Sequence, residues 1–231
     1  VEGTAQPLTI DPMLQAELEA ILEKYETPWA AVVAVEPSTG RVLAMAEHSA
    51  AAPTLRGLAT RALYPAASIF KIVTAAALLD VGVDPAEVLC AHGGKRKVKE
   101  AQLEDSEKDT RCLTRLVARA DGVGTKLKVA ARAFHFNVPF PFPVPTDPSL
   151  AAIPSETYPL ALTGAGFGDV YLSPLHGAAL AAVAANGGLW RTPVLFEKDV
   201  PQGPPTERVV TEQVAADIGI ETEPDAHPEG V

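Results

Sequence analysis

A serine followed three positions later by a lysine, Ser68-Ile69-Phe70-Lys71, opens a strongly apolar run that extends to about Val81. On a helix these two side chains share a face. A helix start also offers unpaired N–H groups and partial positive charge, which suit a serine oxygen that is to attack a carbonyl. Apolar surroundings disfavour a charged ammonium. A neutral lysine can accept the hydroxyl proton, so the pair would supply a nucleophile and its base without a histidine. The spacing alone is not specific. A capping serine followed by a lysine that carries its amine out to solvent has the same pattern, and on these four residues alone it is the commoner arrangement.

Other reactive side chains are sparse. His48, His92, His135, His176 and His227 have no recognisable catalytic partner in the sequence and read as structural. Cys90 and Cys112 stand neither in a CxxC nor beside a histidine at metal-ligand spacing, so no metal and no cofactor is expected. As residues they allow two readings. One is a pair of buried thiols. The other is a disulfide closing a loop of about twenty residues, which would contribute roughly 3 kcal/mol and imply an oxidising compartment.

Composition narrows the field. The 231 residues suffice for one large domain, and 47% are apolar, enough to bury a substantial core. A net charge of −10 argues against nucleic acid as a partner and against an anionic lipid surface. The basic run Lys95-Arg96-Lys97-Val98-Lys99 lies beside the acidic Glu104-Asp105-Ser106-Glu107 and reads as a solvated loop. No apolar run is long enough to span a bilayer, and Val1-Glu2-Gly3-Thr4 does not begin a signal peptide.

The elements around Ser68 follow from local signals. Asp11-Pro12 caps and starts an amphipathic helix to about Tyr25. Residues 31–35 and 41–45 are β-rich runs on either side of Pro37-Ser38-Thr39-Gly40 and predict a hairpin, its all-apolar first strand inside a sheet covered on both faces. Residues 113–136 read as mostly helical, and 137–159, with seven prolines, as extended and irregular. Thr163-Gly164-Ala165-Gly166-Phe167-Gly168 predicts a tight turn. Ser173-Pro174 starts a helix stopped by Asn186-Gly187-Gly188.

These pieces, in this order, carry a resemblance. Tyr64-Pro65-Ala66-Ala67-Ser68-Ile69-Phe70-Lys71 and the apolar residues through Leu79 resemble the nucleophile segment of penicillin-binding protein transpeptidases. Leu8 to Gln15 is similar to the opening of that domain, Ala31 to Ala46 to its first two strands. Gly164 to Gly168, Leu172-Ser173-Pro174-Leu175 and Ala185 to Gly188 are similar to its later part. The resemblance implies an α/β fold, a β-lactamase-like sheet flanked by helices plus a helical lobe. It also implies acylation of Ser68 by a D-Ala-D-Ala stem peptide of peptidoglycan or by a β-lactam, with Lys71 as base. Cys90 and Cys112 sit where some family members carry a paired cysteine loop, which favours the disulfide and an exported, periplasmic location. Any tether to the inner membrane would lie outside this chain.

Two departures stand out. The family's Ser-x-Asn motif falls on Arg119-Ala120-Asp121, with Asp121 at the asparagine position. Asp121 can accept a hydrogen bond from Lys71 but offers no amide donor. After Leu195 there is no Lys-Thr-Gly, so the substrate-carboxylate clamp, its strand and the neighbouring C-terminal strands are expected to be missing. The expected division is a transpeptidase-like domain over 1–200 and an acidic, proline-rich tail over 201–231 whose end is disordered. The expected function is a serine D,D-transpeptidase with reduced or lost activity. The alternative is a non-catalytic relative that binds in cell-wall assembly, with a cell-wall synthesis protein completing the sheet.

Overall fold

The computed structural model describes residues 5–25, 27–84, 117 and 121–220. Cys90, Cys112 and Arg119 lie outside the described residues. Helix α1, Pro12–Lys24, begins as its sequence predicts. The Asp11 carboxylate accepts from the N–H groups of Met13 at 2.8 Å and Leu14 at 3.2 Å, and Pro12 occupies the first turn. Replacing Asp11 by Ala should cost about 1 kcal/mol, read as a lower urea midpoint with an unchanged slope.

Strands β1, Ala30–Val35, and β2, Val42–His48, form an antiparallel hairpin. Its turn needs Gly40 for two reasons: φ is +78°, and an added Cβ would stand 2.5 Å from the Thr192 carbonyl oxygen. The two outer edges of the hairpin differ. Along β2, Asp11 N–H donates to the Leu43 carbonyl at 2.8 Å. The Gln15 amide accepts from Met45 N–H at 2.8 Å and donates to the Met45 carbonyl at 3.2 Å. Helix α1 thus takes the place of a neighbouring strand. Because Met45 faces outward in the ladder, so does its partner Val33, and Ala31 two residues earlier. Among the described residues nothing pairs with the N–H and C=O groups of Ala31 and Val33. The burial of β1, by contrast, bears on its faces, and neither is fully enclosed in the way its all-apolar sequence predicts. All six residues of β1 are half-buried, and β2 is its one strand neighbour among the described residues.

The nucleophile segment follows strand β3, Tyr64–Pro65, as a 3-10 turn over Ala67–Phe70 that runs into helix α2, Lys71–Asp80. Helix α3, Val123–Ala133, packs on α2, and Lys126 of α3 meets Asp80 at the end of α2 at 2.6 Å. The helix predicted over 113–136 is thus shorter where it is described, because Gly122, at φ +74°, is its N-cap rather than an interior residue. Strand β4, Leu150–Ala151, joins β5, Val170–Leu172, which also pairs with β3. Helix α4, Thr157–Gly164, leads into the glycine turn, and α5, Pro174–Ala185, starts on the Ser173 cap. Within the segment read as a tail, β7, Glu207–Arg208, pairs with β6, Leu189–Trp190. Helix α6, Glu212–Ile220, packs on α2 and α5 through the buried Ala215 and Ile218.

The core is shared by α2, α3 and α5. Phe70, Val73, Ala77, Leu127, Leu175 and Leu180 are fully enclosed or nearly so. At one end an aromatic cluster gathers Phe136, Phe140, Trp190 and His176. His176 is 1% exposed, its Nε2–H donates to the Phe134 carbonyl at 2.7 Å, and its Nδ1 has no partner among the described residues. Burial lowers its pKa to about 4, with His135 adding to the shift and the bond to Phe134 opposing it. The folded state then holds fewer protons than the unfolded chain between pH 6.5 and about 4. Stability is complete above that window and falls through it by about 3 kcal/mol. Urea titrations from pH 7 down to 4 should show the loss. His176→Gln, which keeps a donor, should flatten it, and an unchanged pH profile in that variant would refute the assignment.

Candidate active site

Four contacts fix the backbone that presents Ser68. Ala66 N–H donates to the Val170 carbonyl of β5 at 2.9 Å. Phe70 is fully buried and meets the Phe136 ring edge-on, with centroids 5.3 Å apart. Thr74 Oγ1 donates to the Gly164 carbonyl at 2.7 Å, tying α2 to the end of α4. The glycine turn then presses on the residue before the serine. A Cβ at Gly166 would lie 1.7 Å from the Ala67 carbonyl oxygen. Gly166 has φ +84° and Ala67 itself φ +45°, an uncommon conformation for a residue with a side chain. Strained backbone is held where the surroundings over-determine it, and here it directly precedes the candidate nucleophile. The glycine spacing signalled a turn; that the turn buttresses Ala67 could not be read from it.

Ser68 is exposed, and its N–H makes no backbone hydrogen bond among the described residues. Lys71 is also exposed. The apolar run buries Phe70, Val73, Thr74 and Ala76 to Leu78 but turns Ser68 and Lys71 outward. Burial therefore does not supply the desolvation that the sequence suggested for the amine. Lys71 N–H donates to the Ser68 carbonyl within the 3-10 turn, but no hydrogen bond joins the Ser68 hydroxyl to the Lys71 amine among the described residues. Asp121 is exposed, and no bond links it to Lys71; it lines a separate depression with Lys128 and Ser155.

Next to the serine turn lies an open cleft of about 610 Å³. Its walls are the β1 residues Val32 and Val33, with Trp29 before them, Tyr64, Leu172 and Ile69, the residue after Ser68; Ser68 and Lys71 are not in the lining. Trp29 and Ile69 are 53% and 47% exposed, so apolar surface faces solvent at the cleft. The Tyr64 hydroxyl is enclosed without a partner. Burial, reinforced by the Glu47 carboxylate, raises this phenol above its ordinary range.

Comparison with known proteins bears on this arrangement. The family model of the penicillin binding protein transpeptidase domain matches residues 30–119, which include Ser68 and Lys71. The peptidoglycan D,D-transpeptidase PbpA of Mycolicibacterium smegmatis is 31% identical over 82% of this chain and 48% of its own length. The crystal structure of PBPA from Mycobacterium tuberculosis superposes with a TM-score of 0.73 at 28% identity, covering 92% of this chain and 62% of that one. The chain belongs to the penicillin-binding protein transpeptidase family.

The same M. tuberculosis protein as its penicillin G acyl-enzyme complex gives a TM-score of 0.74 at 25% identity, over 95% of this chain and 64% of that one. The transpeptidase fold is thus present from α1 through α6, and the chain spans about half the length of the curated relatives it matches. The Ser68 segment, the hairpin and the glycine turn occupy one neighbourhood. Asp121 lies just beyond the matched residues.

Proposed function

We propose that the chain is a serine acyl-transferase of the penicillin-binding transpeptidase type, acting in peptidoglycan synthesis, with activity reduced or lost in these 231 residues. Ser68 is the nucleophile and Lys71 its base. Ser68 Oγ attacks the carbonyl of the D-Ala-D-Ala peptide bond while its proton passes to the Lys71 amine. The C–N bond breaks, the terminal D-alanine leaves with that proton, and the acyl group is handed to an acceptor amine. A β-lactam would acylate the same oxygen by opening its ring. The observation that carries this reading is the exposed Ser68 on a braced 3-10 turn, its N–H without a backbone acceptor among the described residues and so available to an oxyanion, next in sequence to Ile69 of an open cleft. Asp121 is assigned a hydrogen bond to Lys71 that substrate binding would have to bring about. Incubation with a fluorescent penicillin, followed by peptide mapping, tests the reading. Label on the Ser68 peptide supports it, and label surviving Ser68→Ala removes it.

One observation favours the alternative of a binding role in cell-wall assembly. The outer edge of β1 is apolar and unpaired among the described residues, whereas that of β2 is closed by α1. An edge of this kind accepts a strand from a partner, and a cell-wall synthesis protein completing the sheet would fit it. Either role places the chain outside the cytoplasm, periplasmic and tethered through a segment not in this sequence. A Cys90–Cys112 disulfide follows from that location. Thiol titration of exported protein, denatured without reductant, should find no free thiol, and two reactive thiols would overturn both assignments.

A further inference from the structure

A second cavity, of about 480 Å³, opens between the 56–61 and 144–147 loops against β2, and it shares no lining residue with the cleft beside Ser68. Its size is that of a small-molecule site. We propose that it binds a small monocarboxylate with an apolar body, independently of any chemistry at Ser68.

The walls are built rather than loose. Glu47 Oε1 accepts from Gly57 N–H at 2.9 Å and Oε2 from Ala59 N–H at 3.3 Å, so β2 holds one loop. The loops are stitched together by Thr60 Oγ1–H donating to the Pro145 carbonyl at 2.9 Å and Asp147 N–H donating to the Thr60 carbonyl at 3.1 Å. Met45, Ala59, Val144 and Pro145 supply the apolar lining, and two guanidinium groups stand with it.

The hydrogen-bond inventory selects the ligand. Both Glu47 oxygens are spent on backbone N–H groups, so that carboxylate is not left to pair with an arginine. Arg56 uses only Nη1, on the Pro53 and Leu55 carbonyls. Arg61 approaches Asp147 through Nε at 3.8 Å, with both side chains about half exposed, too long for a hydrogen bond. Among the described residues, Arg56 Nε and Nη2 and both terminal nitrogens of Arg61 therefore have no acceptor. A planar carboxylate matches a guanidinium fork, and a short apolar body matches the lining. Two carboxylates of the lining, Asp147 and the backbone-held Glu47, oppose such a ligand.

The test uses the whole chain with N-acetyl-leucine and its neutral amide in calorimetric titrations, with backbone amide shifts to locate binding. The acid should bind and the amide should bind at least about tenfold more weakly, the effect of losing a charge-assisted hydrogen bond. Arg61→Ala should weaken the acid by about tenfold as well. Asp147→Asn, which removes one competing charge and leaves the loop backbone its bonds, should tighten it. Shifts should concentrate on residues 56–61 and 144–147. No binding of the acid, equal binding of acid and amide, weaker binding by Asp147→Asn, or shifts centred on Tyr64 and Ile69 would each overturn the assignment.

Discussion

Benzylpenicillin should acylate the 231-residue chain at least about a hundredfold more slowly than it acylates a transpeptidase relative that carries a Lys-Thr-Gly strand. One lost oxyanion-hole donor typically costs about a hundredfold to a thousandfold in rate. Here the sequence after Leu195 contains no Lys-Thr-Gly, and Arg119 stands where the family's second serine would be. Ser68 and Lys71 are both exposed with no hydrogen bond between their side chains among the described residues, so the base is not pre-positioned on the hydroxyl. Groups that act as a unit do not contribute additively, so the surviving pair cannot offset the missing wall. Intact mass after timed incubation measures the rate, with Ser68→Ala as the blank. Rapid stoichiometric uptake that vanishes in Ser68→Ala would mean that these residues already hold a complete site.

Gly166→Ala should cost roughly 2–4 kcal/mol of stability, combining overpacking with a backbone conformation that alanine resists. The added methyl would sit 1.7 Å from the Ala67 carbonyl oxygen and 2.3 Å from its carbon. Neither backbone can yield freely. Ala66 is hydrogen-bonded to β5 on one side, and Phe70 is locked in the core on the other. Gly82 supplies the control, because it has the same φ of +84° with nothing within 4 Å of its added Cβ. Gly82→Ala should therefore show the conformational cost alone, about 1 kcal/mol. Urea midpoints of the two variants separate the terms. If they fall together, the contact with Ala67 contributes nothing, and the glycine turn does not brace the serine.

The parts of the fold that were legible in the sequence are those specified by neighbours in the chain. Asp11-Pro12 and Ser173-Pro174 carry their own helix starts, and Pro37 to Gly40 carries its own turn. Each worked because the backbone donors it satisfies, or the φ it demands, lie within a few residues. The run after Ser68 was legible as a helix but misleading about exposure. Its composition is apolar almost all round, and the core takes in Phe70, Val73 and Leu78 and, in part, Ile72, Ala75 and Leu79, while Ser68, Ile69 and Lys71 at its start stay exposed. What the sequence withheld depends on distant partners. The pressure of Gly166 on Ala67, the Thr74 bond to Gly164 and the closure of the β2 edge by Gln15 each join separate elements, and no local pattern announces them. The Ser68–Lys71 pair is a mixed case, since spacing proposed it and the segment's resemblance raised its weight. Its geometry shows two outward-facing side chains rather than a finished couple.

The unequal edges of the hairpin set a valence. With α1 seated along β2, a strand can be added on the β1 side only, so among the described residues this hairpin offers one adhesive edge. A particle with two such edges can chain without limit into a fibre. A particle with one is satisfied by its first encounter, and the resulting pair presents two closed ends. The glutamine on α1 thus acts as a terminator. Whatever strand docks on Val33, the product is a complex of fixed stoichiometry.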